Sequence, residues 1–203
     1  MEDVNLEKFY KDIIQGWMMG DLHTAARKEN GANFITALGC FVYTEAIGLY
    51  LPHLDKEIED SLPPKERQRR FYRCFFKLES RERLMEYDKK IRKSGVKNGI
   101  YQIRHRFAHK YLPNLVEPQH IPVRVAGSHN VERLQELQDA GLFFPVALEE
   151  NDGKIQNIAI NNVKYIEELQ KLVDYAYSKI FIEKDDDFVT AMRSGYNELI
   201  KDD

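Results

Sequence analysis

The sequence predicts a mainly α-helical protein, an up-and-down helical bundle with a small inserted β-hairpin unit. Apolar residues recur at three- and four-residue spacings along most of the chain, which is the period of amphipathic helices. Three prolines within residues 113–122 exclude a helix there. Farther on, Asp152-Gly153 separates an apolar run from an alternating run, and this pattern predicts a hairpin.

Length and composition limit the domain organisation and the class of protein. A chain of 203 residues at 43% hydrophobic content predicts one core. We therefore expect a single domain, 1–203, with residues 5–112 and 161–200 in the bundle and 113–160 forming a loop and a small β insertion. A net charge of -3 gives no overall attraction to nucleic acid or to an anionic membrane.

Neither a signal-like start nor a run of about 20 apolar residues is present. Cys40 and Cys74 also lack the spacing of a disulfide framework. These features predict a cytoplasmic protein without a membrane partner.

The first two helices are predicted from residues 5–28 and 33–51. The second segment is apolar on nearly every side, which indicates a central helix, and Pro52 ends it. Small side chains form a stripe along this helix and would let another backbone approach closely, either in this chain or in a second copy. The stripe consists of Asn33, Ala37, Cys40, Thr44 and Gly48.

Residues 63–93 predict two charged helices. Lys65 to Lys93 contains twelve Lys or Arg residues and five Asp or Glu residues, an excess of seven positive charges. Such an excess attracts phosphates. The mixed signs are equally typical of a solvated helix face, and both interpretations stay open.

The second half of the chain predicts the β unit and the closing helices. A short helix at 131–140, an extended segment at 142–148 and the alternating run 154–160 place the β unit at about 121–160. Helical spacing returns at 163–180, with Asn161 or Asn162 as the cap. A last helix is expected at 186–200, where the acidic start favours a helix N-terminus.

Residues 100–111 contain the candidate catalytic side chains. Their apolar stripe must face a core, whereas His105 and His109, four residues apart, point to the open side with Arg104 beside them. An imidazole and a guanidinium acting on one phosphodiester cleave RNA without a metal, by proton transfer and by neutralising the phosphorane. The stripe consists of Val96, Ile100, Ile103, Phe107 and Tyr111.

Arg104-His105-Arg106-Phe107-Ala108-His109 resembles the signature of the HEPN superfamily, in which an Arg, usually followed by a polar residue, precedes a His. The resemblance extends loosely to 6–112 and 162–182. It implies an RNase-like or RNA-binding site at a homodimer interface, as in toxin–antitoxin and phage-defence relatives, with any antitoxin-type partner encoded separately. The implied catalytic residues are Arg104, His109 and His105, supported by Glu45, Arg106 and Tyr101.

Other interpretations of this segment stay open. Arg104 and His109 are about 140° apart on an ideal helix, so one copy aligns them only if the helix begins or bends within the motif or if the Arg side chain reaches round. A second copy would also solve this. Glu45, a lone carboxylate in an apolar helix, requires a cation. If Glu45 pairs with Arg104, it either orients this arginine for catalysis or forms a structural ion pair. In the second case the chain would be a noncatalytic interaction or dimerisation protein.

Two ligand hypotheses are weaker. His105 and His109 have the spacing of a zinc-binding pair, but no acidic residue stands between them and Arg106 opposes a cation, so we expect no metal and no other cofactor. A small-ligand pocket lined by Trp17, Tyr43 and Glu45 is a third possibility for the bundle.

Overall fold

The computed structural model describes residues 3–27, 33–110, 114–115 and 121–200, and most of these residues are helical. The helices are α1 (Asp3–Phe9), α2 (Met19–Ala26), α3 (Asn33–Ile47), α4 (Lys56–Ser61), α5 (Glu66–Phe75), α6 (Arg81–Lys93), α7 (Tyr101–Lys110), α8 (Val131–Asp139), α9 (Asn162–Tyr177) and α10 (Asp186–Leu199). A π-helical segment, Tyr10–Met18, joins α1 to α2. A 3₁₀ turn, Gly48–Tyr50, extends α3, and a second π-helical segment, Ser178–Ile182, extends α9.

The mainly helical prediction is confirmed, and each predicted helix is present within the described residues. Helix α4 was not predicted. Its six residues, Lys-Glu-Ile-Glu-Asp-Ser, contain one apolar side chain and therefore have no readable period.

The β unit is a mixed sheet rather than a hairpin alone. Strands β3 (Val146–Asn151) and β4 (Lys154–Asn161) form the predicted antiparallel hairpin, and β2 (Ile121–Ala126) lies parallel to β4. A two-residue strand, β1 (Asn114–Leu115), completes the order β1-β2-β4-β3. Prediction of a hairpin unit is therefore incomplete, because the pairing of β2 with β4 is long-range and leaves no local sequence signal.

The hairpin turn has the backbone that its sequence requires. Asp152 has a φ of 50° and Gly153 a φ of 72°. Positive φ at both central positions is typical of a type I′ turn, which matches the twist of the flanking strands.

The small-residue stripe of α3 packs against helices of the same chain. A Cβ on Gly48 would lie 1.8 Å from the carbonyl oxygen of Arg70 on α5. The Thr44 hydroxyl lies 3.0 Å from the Tyr165 hydroxyl on α9. The stripe therefore serves close packing within the bundle, and the alternative of a second copy at this face is not needed.

The sheet and the first helical segments join the same core. Residues Ile158 to Asn161 of β4 are buried, and the Asn161 side chain caps α9 by accepting a hydrogen bond from Lys164 N at 3.0 Å. In the π-helical segment after α1, the Tyr10 hydroxyl donates to Val173 O of α9 at 2.8 Å. No helix in the described ranges has the length and apolar character needed to cross a membrane.

Candidate active site on helix α7

Helix α7 is anchored through its apolar side. Ile100, Ile103 and Phe107 are fully buried, and the Phe107 ring lies 4.6 Å from the Phe34 ring, between centroids. Val96 is also buried, in the turn before the helix. The predicted stripe is confirmed at these four positions, whereas Tyr111 lies outside the described residues.

The start of α7 is held by a buried carboxylate on α6. Asp88 Oδ1 accepts hydrogen bonds from Ile100 N and from the Tyr72 hydroxyl, both at 2.8 Å. Asp88 Oδ2 accepts from Arg92 Nε at 2.6 Å, and Arg92 Nη2 donates to the Tyr72 hydroxyl at 2.9 Å. Burial, followed by the charge of Asp88, raises the pKa of Tyr72 well above its ordinary value. This cluster fixes where α7 begins.

Gly99 completes the connection between α6 and α7. It has a φ of 54°, and a Cβ at this position would lie 2.0 Å from Asp88 Oδ1. Both observations require glycine here. The sequence prediction did not include this cluster, although the four-residue spacing of Asp88 and Arg92 is a signal for a helical ion pair.

Arg104 is paired with Glu45 of α3. Arg104 Nε lies 2.9 Å from Glu45 Oε2, and the two side chains are 16% and 14% exposed. The N–H is poorly aligned with the oxygen, so the contact is an ion pair and not a well-formed hydrogen bond. The Tyr101 hydroxyl donates to the same oxygen at 3.1 Å, and the guanidinium carbon lies 5.7 Å from the centre of the Tyr101 ring.

Two arginines, Arg104 and Arg67, lie near Tyr101. Burial, followed by the charge of Glu45, raises the pKa of Tyr101, and the charges of Arg104 and Arg67 oppose the rise. Arg67 on α5 is exposed, as is His105, while Arg106 is partly exposed. Near Tyr101 the structure therefore brings together two arginines, of which Glu45 holds Arg104.

The His109 backbone belongs to α7, but its side chain lies outside the part of the chain whose side chains are described. Helix α7 runs uninterrupted from Tyr101 to Lys110, so the helix does not begin within the motif. Ideal helix geometry then leaves Arg104 and His109 about 140° apart. Helical spacing alone does not bring the two residues together in one copy.

Four of the ten cations of α5 and α6 have carboxylate partners from other parts of the chain. Arg73 Nη2 lies 2.8 Å from Glu59 Oε1, and this contact is buried. Similar pairs join Arg81 to Asp55, Lys90 to Glu150 and Arg70 to Glu198. These four carboxylates offset four of the seven excess charges, and they interrupt a continuous phosphate-binding patch on α5 and α6.

The small-ligand hypothesis is not supported by the arrangement of its three residues. Trp17 is 70% exposed, the Tyr43 hydroxyl donates to Asp21 Oδ2 at 2.9 Å, and Glu45 contacts Arg104. The three side chains therefore face different surroundings. Within the described residues there is also no group of three or more His, Cys, Asp or Glu side chains placed to hold a metal ion.

Comparison of the chain with protein-family models, with curated proteins and with solved structures gave no match. Any assignment of function therefore depends on the side chains of α7 and its surroundings.

A double-mutant cycle on Glu45→Gln and Arg104→Gln is expected to give a coupling free energy of about 1–3 kcal/mol, because each single change leaves its partly buried partner without a counter-charge. The measurement is urea unfolding followed by circular dichroism. The matched control is the pair of Glu79 and Lys171, whose side chains are both 56% exposed and for which we expect no measurable coupling. Additive effects at Glu45 and Arg104 would show that this ion pair does not stabilise the fold.

Proposed function

We propose that this protein acts on RNA as a HEPN-like homodimer and cleaves it without a metal, with Arg104 and His109 as catalytic residues. The observation that carries the proposal is the placement of Arg104. An ion pair to Glu45 holds this cation 2.9 Å from the carboxylate, on a helix whose buried stripe anchors it to the core and next to the exposed His105. A cation held in one position stabilises developing charge without reorganisation.

The proposed roles follow from the chemistry of each side chain. Arg104 would neutralise the phosphorane, and His109 would move the proton of the ribose hydroxyl or of the leaving oxygen. His105 and Arg106 would contact the RNA backbone. Glu45 and Tyr101 would position Arg104, since both contact its side chain.

A second copy would complete the site. Because positions 104 and 109 are about 140° apart around an ideal helix, an isologous contact between two α7 helices would set Arg104 of one protomer against His109 of the partner subunit. This proposal agrees with the cytoplasmic location expected from the sequence and with an antitoxin-type protein as a separate partner.

The test is incubation of the purified protein with structured and single-stranded RNA in EDTA. We expect His109→Ala and Arg104→Ala each to reduce the cleavage rate by about 10²- to 10⁴-fold, the usual contribution of a general acid or base or of one charge-stabilising group. His23→Ala is the control, because His23 is exposed and contacts Gln170 on α9, away from α7. Absence of cleavage by the wild type on a broad panel of RNAs would contradict the enzymatic proposal.

The ion pair of Arg104 with Glu45 also favours a second function, a noncatalytic interaction or dimerisation protein. In that case the pair only ties α7 to α3. Arg104→Ala would then lower the free energy of unfolding and leave RNA binding, measured by gel shift, unchanged. A loss of RNA cleavage in a variant that remains folded would instead support the catalytic function.

A further inference from the structure

A cleft of about 510 Å³ lies between α4 and α6, on a part of the molecule that the proposed site on α7 does not use. This volume is in the range of small-molecule sites. The lining residues are Ile58, Ser61, Leu62, Phe76, Met85, Asp88, Lys89, Arg92 and Lys93.

One side of the cleft is apolar and belongs to the protein core. Leu62 and Phe76 are buried, and Ile58 and Met85 are partly buried and pack against the same core. The Ser61 hydroxyl donates its proton to Ile58 O at 2.6 Å. Serine has one O–H donor, so this hydroxyl has no donor left for a ligand.

The other side of the cleft is one face of α6. Three- and four-residue spacings lead from Met85 to Asp88 and Lys89, and from Lys89 to Arg92 and Lys93. These spacings place all five residues on the same side of a helix. These residues bring three cations and one carboxylate to the cleft. The charge at this edge is therefore positive.

The carboxylate on this face is already engaged. Asp88 accepts hydrogen bonds from Ile100 N, the Tyr72 hydroxyl and Arg92 Nε, at 2.6 to 2.8 Å. Arg92 is engaged by the same cluster. Within the part of the chain that the structure describes, the side chains of Lys89 and Lys93 form no ion pair or hydrogen bond. Their two ammonium groups are the charges left to meet a ligand.

We propose that this cleft binds an amphipathic anion, a carboxylate carried on an aliphatic body. The aliphatic part would cover the apolar side formed by Ile58, Leu62, Phe76 and Met85, and the carboxylate would lie between Lys89 and Lys93. The combination of an apolar wall with a few convergent charged groups is typical of small-molecule sites. The proposal is independent of RNA cleavage, because none of the proposed catalytic residues lines the cleft.

The test is isothermal titration calorimetry of the full chain with decanoate, kept below the critical micelle concentration of decanoate. Decyltrimethylammonium is titrated for comparison. We expect saturable binding of one decanoate per chain and weaker binding, or none, of the cation. Lys89→Gln combined with Lys93→Gln should weaken decanoate binding about tenfold or more, because charge-assisted contacts are lost. Both lysines are exposed, so this double variant should fold normally.

Two further variants distinguish binding in the cleft from nonspecific electrostatic attraction. Lys8→Gln combined with Lys65→Gln removes the same charge from exposed positions outside the cleft and should leave the affinity unchanged. Met85→Asp, which puts a negative charge on the apolar wall, should also weaken binding. The proposal is overturned if decanoate does not bind, if the alkylammonium binds equally well, or if the two lysine double variants behave alike.

Discussion

Replacing Gly48 with alanine is expected to destabilise the protein by about 3 kcal/mol, at the upper end of the usual range for overpacking. The new Cβ would lie 1.8 Å from the Arg70 carbonyl oxygen and 2.6 Å from its carbonyl carbon. These are backbone atoms of α5, so a change of side-chain rotamer cannot relieve the contact. Chemical unfolding followed by circular dichroism gives the change in free energy.

Gly20 provides the matched control for this substitution. It lies in α2, and a Cβ there would have no neighbour within 4 Å. Gly20→Ala should therefore leave the protein equally stable or stabilise it by about 0.4–1 kcal/mol, because alanine restricts the unfolded chain. If Gly48→Ala unfolded at the same denaturant concentration as the wild type, α5 would have to lie farther from α3 than described.

The second large effect is expected for Asp88→Ala, with a loss of about 3 kcal/mol in the free energy of unfolding. The substitution leaves Ile100 N and the Tyr72 hydroxyl buried without this acceptor, and it leaves Arg92 without its carboxylate. We also expect faster hydrogen exchange at the amide of Ile100, since its acceptor is removed. Unfolding and exchange measurements on the same variant test both effects.

Glu86→Ala is the control for Asp88, because Glu86 is an exposed carboxylate on the same helix with partners at Lys90 and Arg83. Its removal should change the stability little. Asp88→Asn should fall between wild type and alanine, since an amide oxygen can still accept from Ile100 N but carries no charge for Arg92. Equal stability of all three Asp88 forms would rule out a positioning role for this side chain.

Elements with a strong period or a specific turn could be predicted from the sequence. Helices α9 and α10 follow the apolar spacing, with Asn161 and Asp185 as their caps. Helix α3 follows from a segment that is apolar on nearly every side, and the β3–β4 hairpin follows Asp152-Gly153. Helix α4 is too short and too polar to show a period. The parallel pairing of β2 with β4 depends on contacts such as that of Val123 with Ile158, which no local pattern specifies.

The same distinction applies to the site. The buried side of α7 could be predicted because Ile100, Ile103 and Phe107 repeat at helical spacing. The partner of Arg104 could be named because Glu45 is a lone carboxylate in an apolar helix. The hydrogen bond from Ile100 N to Asp88 could not be predicted, since it depends on how the turn at Gly99 brings two helices together. The pairing of four cations of α5 and α6 with distant carboxylates is likewise a tertiary effect.

The contact between Tyr10 and Val173 sets an order of events during synthesis. These residues are 163 positions apart, and at about 5–20 residues per second a ribosome needs roughly 10–30 s to cover that distance. During this interval the first helix emerges with an apolar face whose partner on α9 does not yet exist. The nascent chain therefore presents that face to chaperones or to other chains until the ribosome has released α9 from its exit tunnel.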